Sequence, residues 1–293
     1  MNKLSFICFV LIFSTNIFAQ QAINNAVQIS TEFDSESGRV SFIADNQDFC
    51  DYVVFVKLEG SSPRFETASS GKRELFSIKP TLGMSYSGYN FAMYRGNIDT
   101  KPNIDFAYRL PIKQGDSLLM KVNENTDGYQ MDFTFYSDTI YASRGGIVCN
   151  DKLKDYTAKG HQKFGDNRIF RQITIYHNDG TFGEYVFGGK QLVYAGYKIK
   201  MGQPIAVLRK DNINKANFAV YFLDKNKIED ISIGNKHTHF RPFFQTANEE
   251  KVRLEEDKIY ICEFNDEMFM QDMNKSQQKK FLKNKQKNEN NKK

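Results

Sequence analysis

The chain contains four histidines, and two of them stand at a spacing that could hold a metal. In His237-Thr238-His239 the imidazoles are two residues apart. On a β-strand, residues i and i+2 point to one face, so such a pair could supply half of a zinc site. A hydrolytic zinc site needs about three protein ligands, an open position for water and a base for the proton. His177 ends an alternating stretch just before Asn178-Asp179-Gly180 and reads as structural. His161 lies in the charged segment 151–168, DKLKDYTAKGHQKFGDNR, and reads as solvated. The cysteines Cys50, Cys149 and Cys262 fall in separate segments with no C-x-x-C spacing, so a cysteine metal site or redox pair is not indicated. Three thiols permit one bridge and one free residue, and leave open whether Cys149 and Cys262 pair. Burial as a small apolar side chain is the plain reading for at least one of them.

The elements that must position these residues read as strands. Twenty-six Phe and fifteen Tyr with no Trp favour strands over helices. The most informative stretch is Ile173 to Ala206. Ile173, Ile175 and His177 alternate with Thr174 and Tyr176, the period of a half-buried strand. Asn178-Asp179-Gly180 supplies a tight turn, and Phe182 to Phe187 reads as the returning strand. Beyond it, V-x-x-G-x-x-I-x-x-G-Q-P-I-A runs from Val193 to Ala206. Gly196 and Gly202 there suit sharp turns against a small barrel core. Upstream, residues 21–105 hold apolar runs at Val27–Ser30, Val40–Ala44, Tyr52–Val56, Leu75–Ile78 and Tyr89–Tyr94, separated by Gly- and Ser-rich joints such as Gly83–Gly88. Short strands with turns every ten or so residues predict a β-sandwich. Tyr52–Val56 is continuously apolar and suits a central strand covered on both faces.

Several of these motifs together resemble the core of the lysostaphin/LytM-type zinc endopeptidases, which cut peptidoglycan peptides. The resemblance is carried by Leu110-Pro111-x-x-x-Gly115, Asp132-Phe133, Thr139 to Val148 and the glycine repeat, and it reaches about Phe222. It implies an all-β fold: an N-terminal β-sandwich (21–105), a LytM-like duplicated hybrid motif (106–230), C-terminal strands packed on it (231–264) and a basic flexible tail (265–293). The glycine repeat is also similar to that of biotinyl and lipoyl carrier domains. Lys200-Met201, however, sits inside the repeat and not at the hairpin tip a carrier needs.

The same resemblance implies where the chemistry should be. An early His and an Asp bind zinc, an H-x-H strand supplies the third ligand, and a His after Y-x assists. In this chain the Asp is Asp132. Gly128 stands about where the first His belongs, Phe187 at the Y-x-H position, and Asn217 and Ala219 at the H-x-H pair. A lone carboxylate does not hold zinc, and Phe187 and Ala219 neither ligate metal nor move protons. The chain is therefore expected to need no cofactor and to act as a pseudo-peptidase, a binding or regulatory module. Zinc enters only if Asp132, His237 and His239 form a rebuilt peptidase site. A third possibility is a structural envelope protein that binds a glycan or partner through residues 21–105.

Charge and leader bound the setting. The formal net charge is +5, but residues 274–293 carry eight Lys and one Glu, which leaves the rest slightly acidic. A nucleic-acid surface would need basic residues spread over a folded face, so nucleic acid is not an expected partner. Residues 1–19 read as a secretory leader with Lys3 before an apolar run that holds Cys8, too short to span a bilayer comfortably. The expected location is outside the cell or in its envelope, with peptidoglycan or an envelope protein as partner and no integral membrane segment once the leader is cleaved.

Overall fold

A computed structural model of the chain describes residues 26–58, 61–79, 89–122, 128–149, 170–209, 214–229 and 234–290. The leader, the joint at Gly83–Gly88 and the segment 151–168 with His161 lie outside the described residues. The chain is all-β, as the sequence implied. Among the described residues there are nineteen strands and three helices, and no helix is long and apolar enough to cross a membrane.

The first unit is built from β1 (Val27–Asp34), β2 (Arg39–Asn46), β3 (Tyr52–Leu58), β4 (Arg64–Ala68), β5 (Gly71–Ile78) and β6 (Tyr89–Arg95). They form two antiparallel three-stranded sheets, ordered β1-β2-β5 and β4-β3-β6. Phe42 and Phe76 from the first sheet share one core with Tyr52, Val54, Val56 and Ala68 from the second, with the Phe42 and Phe76 rings stacked at 4.6 Å. β4 is the strand the sequence did not announce, because Arg64, Glu66 and Thr67 interrupt its apolar residues. β3 is central and covered on both faces. Val54 and Val56 face the sandwich core, and Val53 packs with Leu223 and Ile228 of the second unit.

The second unit comprises β7 (Ala107–Arg109), β8 (Ser117–Val122), β9 (Met131–Phe135), β10 (Thr139–Tyr141), β11 (Gly146–Val148), β12 (Phe170–Tyr176), β13 (Thr181–Gln191), β14 (Lys198–Ile199), β15 (Pro204–Leu208) and β16 (Lys215–Leu223). After the short helix α1 (Lys225–Glu229) come β17 (His237–Phe240), β18 (Phe243–Gln245) and β19 (Ile259–Ile261). Eleven of these strands share one sheet, whose main path is β14-β11-β12-β13-β16-β9-β8-β19. β12 and β13 form the expected hairpin, with Tyr176 opposite Phe182 across Asn178-Asp179-Gly180. Within the C-terminal strands, the run from Thr238 to Phe244 divides in two. Pro242 interrupts the run, β17 stays beside β16, and β18 pairs in parallel with β7.

One face of the sheet is the barrel core. Met131, Phe133 and Phe135 of β9, Phe218 and Val220 of β16, and Tyr185 and Phe187 of β13 all belong to a single buried cluster. Phe218 sits in its middle, with ring centroids 4.8 Å from Tyr185 and 6.3 Å from Phe133. The opposite face carries the alternate residues.

Two corrections follow. Residues 265–293 do not begin as a free tail. Helix α2 (Asp266–Met270), capped by the Asn265 side chain, lies beside β7. The Gln271 side chain both accepts from the Ala107 N–H and donates to its carbonyl, each at 3.2 Å. Asp272 pairs with the buried Arg144 at 2.5 Å. Helix α3 (Lys275–Asn290) then folds back, with Phe281 stacked on Phe269. Buried contacts made by single residues hold this segment, not an apolar stripe. The second correction concerns the glycine turns. Gly202, at φ +76°, leaves room for Arg109, and Gly196, at φ +84°, leaves room for Phe49 of the first unit. Gly196 is thus an inter-unit approach as well as a barrel turn.

Candidate functional site

The pairing of β9, β16 and β13 decides which residues share the outer face. Asp132 lies opposite Asn217, Asn217 opposite Val186, and Ala219 opposite Glu184. Directly opposed residues of an antiparallel pair point to the same side, and so do residues two apart. Asp132, Asn217, Ala219, Glu184 and, on β12, Gln172 and Thr174 therefore occupy one surface. Three of the positions singled out from the sequence, Asp132, Asn217 and Ala219, do come together there. Gly128, at φ +75°, turns the chain just before β9.

Phe187 does not join them. It is fully buried in the barrel core, on the opposite side of β13. The strand reads Phe182-Gly183-Glu184-Tyr185-Val186-Phe187, with apolar residues on both faces, so its sequence does not disclose which parity faces inward. The residues of β13 that reach the outer face are Phe182, Glu184 and Val186.

Asn217 donates through its side-chain Nδ2 to Asp132 Oδ1. Gln172 donates through Nε2 to Glu184 Oε2 at 2.7 Å and lies 3.1 Å from Thr174 Oγ1. This half of the face is a band of carboxylates and amides tied to one another. Its chemistry is hydrogen bonding. The Asn217 amide engages one of the two Asp132 carboxylate oxygens. The sequence does not single out Glu184, because its position depends on the parity of β13.

The histidines are placed elsewhere. His239 lies opposite Tyr221 and His237 opposite Leu223, on the same side as Asp132 but farther along β16. Tyr221 is four residues from Asn217, roughly 13 Å of strand at about 3.3 Å per residue. Ligands of one zinc ion each lie about 2 Å from it, so Asp132 and His239 do not share a metal. Among the described residues, the three-membered set of metal-ligating side chains that converges is Asp48, Cys50 and Cys149, not Asp132, His237 and His239. Asp132, His237 and His239 thus do not form the convergent set that a rebuilt zinc site would need.

The two imidazoles have structural roles. His237 Nε2 donates to the Arg95 carbonyl of the first unit at 2.8 Å, and its ring meets Tyr221 edge-on. His239 stacks on Tyr129 with ring centroids 4.3 Å apart. Burial pushes both below the usual histidine range, His239 to about 4, with His237 and Lys227 adding to the effect on His239. Both are neutral at pH 7. His177 is also structural. Its Nδ1 donates to the Gly145 carbonyl at 2.7 Å, and burial, with the Arg144 cation adding, lowers it to about 3.

The far half of the same face is covered by the first unit. Phe182 stacks between Tyr176 at 4.8 Å and Tyr221 at 5.1 Å. Phe182 and Tyr221 belong to the core cluster of the sandwich, together with Cys149. Tyr176 donates its hydroxyl to Asp51 at 3.1 Å. Gly96, at φ +126°, passes so close that a Cβ there would stand 2.6 Å from Leu223 Cβ. Any side chain at that position would push the two units apart.

No family model matches the chain, and no curated protein sequence matches it. Among solved structures it is similar to the M23 metalloprotease pseudoalterin from the deep sea, at 12% identity over 55% of this chain and 96% of that one, with a TM-score of 0.29. It is also similar to a zinc-containing peptidase from Vibrio cholerae, at 13% identity over 66% of this chain and 81% of that one, with a TM-score of 0.24. At these TM-scores the site has to be read from its own geometry.

Proposed function

We propose that this chain is a non-catalytic, LytM-like binding module of the cell envelope. The observation that carries this reading is the Asn217–Asp132 hydrogen bond. Where a metallopeptidase would direct a carboxylate at a metal, this chain directs it at an amide. The outer face then offers the half-buried Asp132, Asn217 and Glu184 as acceptors and donors, with the buried Gln172 and Thr174 bracing Glu184 from behind. Such a band suits the amide N–H and ammonium groups of an extended peptide. Peptidoglycan stem peptides or a peptide segment of an envelope protein are the proposed ligands. Export through the leader at residues 1–19 is part of the proposal.

The test combines metal analysis with two assays on the purified protein. Less than a tenth of an equivalent of zinc is expected, with no release of fragments from peptidoglycan. Binding of soluble stem peptides is expected to shift NMR signals at Asp132, Asn217 and Glu184. One tightly held zinc per chain, or peptide-bond cleavage abolished by a chelator, would sink the non-catalytic reading. Peptide shifts confined to the first unit would sink the outer sheet face as the binding surface.

A further inference from the structure

The convergent cluster at the unit junction is the part of the molecule that the proposed function does not use. Cys50 lies in the bend between β2 and β3 of the first unit, and Cys149 directly follows β11 of the second. Their Sγ atoms and a carboxylate oxygen of Asp48 all lie within 4.8 Å of one another. Both cysteines are buried, and both belong to the core cluster that runs from the sandwich into the second unit. Cys262 is apart from them, in the barrel core, with its sulfur 3.8 Å from the Leu110 carbonyl.

A metal is a poor occupant of this cluster. Asp48 Oδ2 already accepts from the Tyr52 hydroxyl at 2.9 Å and from Arg95 Nη2 at 2.8 Å, and Oδ1 accepts from the Phe49 N–H at 2.7 Å. The third ligand is committed to a cation, and a metal ion would bring a second positive charge beside Arg95. What remains is a pair of buried thiols, one from each unit.

We propose that Cys50 and Cys149 form a disulfide that joins the two units when the chain folds in an oxidising compartment. The oxidant is a low-molecular-weight disulfide. One cysteine thiolate attacks it, expels one thiol and forms a mixed disulfide. The second cysteine attacks the protein sulfur of that bond and expels the other thiol. Two electrons pass to the oxidant, and the two cysteine protons leave on the two released thiols. The sulfurs close to about 2.05 Å. Cys50 sits outside a strand, and Cys149 stands just past the end of β11, its N–H still donating to the Thr174 carbonyl at 2.9 Å, so the approach falls to side-chain rotation and the Cys50 bend.

The burial of the pair sets the order of events. Burial, with Cys149 adding to it, pushes the Cys50 thiol well above its ordinary range and so keeps it protonated. Exchange needs a thiolate and access to the oxidant. The bond therefore forms while the units are coming together and the thiols are still accessible, and afterwards the same burial shields it from reductants.

The test refolds the reduced, denatured full chain with oxidised and reduced glutathione, blocks the remaining thiols with an alkylating agent and maps the peptides. A Cys50–Cys149 linked peptide is expected, with Cys262 alkylated. Reduced protein that is already folded should acquire the link at least tenfold more slowly than refolding protein does. Reducing the bond should lower the thermal midpoint by on the order of 10 °C, given the long loop it closes. C262S should keep the link. Alkylation of both Cys50 and Cys149 after oxidative refolding, or pairing of either with Cys262, would overturn the proposal. So would a retained zinc ion that C50S releases. If a cysteine variant fails to fold, the peptide map of the unaltered chain still decides.

Discussion

The two ends of one sheet face have been put to opposite uses. At one end Tyr176, Phe182, Tyr221 and Leu223 are apolar and lie under the first unit. At the other, Asp132, Asn217, Gln172 and Glu184 are polar and bonded among themselves. Apart from Asp132 on β9, both sets come from the same strands, β12, β13 and β16, and stand only a few residues apart. The difference shows that a single strand can carry an inter-unit core and a polar surface in succession, because period two fixes the face and the local residue types fix its use. It also means that the extent of the polar surface is set by the first unit.

The comparison is broken most directly at its covered end. Phe182→Ala removes a buried ring stacked on both sides and should cost roughly 3–5 kcal/mol of stability. Denaturant unfolding measures it, and a loss below 1 kcal/mol would mean that the units are not held by this core. The next effect is one of pH. His237 and His239 are held below 6.5 by burial, so the unfolded chain takes up their protons first. Their stabilising effect is complete above pH 6.5 and falls as pH drops below it, the His239 part levelling off below about 4. His177 contributes in the same direction down to about pH 3. The thermal midpoint should accordingly fall across this window, and a His237→Gln, His239→Gln double variant should show a shallower fall. Parallel pH curves for variant and parent would remove the two imidazoles from the covered end.

The smallest effect is expected at the open end. Asn217→Ala deletes a half-exposed hydrogen bond to Asp132 and should cost about 1 kcal/mol, since solvent replaces much of what is lost. It should weaken peptide binding far more than folding. Equal losses from Asn217→Ala and Phe182→Ala in the unfolding measurement would erase the distinction between the two ends.

The sequence was most legible where alternation was clean. Ile173 and Ile175 with Thr174 and Tyr176 announced β12 and its turn, and the covered central strand β3 was readable from Tyr52 to Val56. Legibility failed where both faces of a strand are apolar. In β13 nothing local distinguishes Phe182, which leaves the barrel for the junction, from Phe187, which fills its core. The Asp132–Asn217 contact was half visible: both positions could be singled out, but their bond needed the register of β9 on β16. The docking of residues 265–272 was not legible, because it rests on one Asp, one Gln and an N-cap, which make no periodic pattern. Arg144 could not signal its role either, since its partners Asp179 and Asp272 come from distant parts of the chain.

That arginine constrains how the molecule is made. Its guanidinium is buried over the Phe106 ring, and although burial alone would favour losing the proton, Asp272, Tyr108 and Asp179 more than offset this. Asp272 is thus a counter-charge supplied late in translation. Until that residue has left the ribosome, the nascent barrel holds a buried cation short of one of its two carboxylates, and the second unit reaches its final form only after nearly all of its strands have been synthesised.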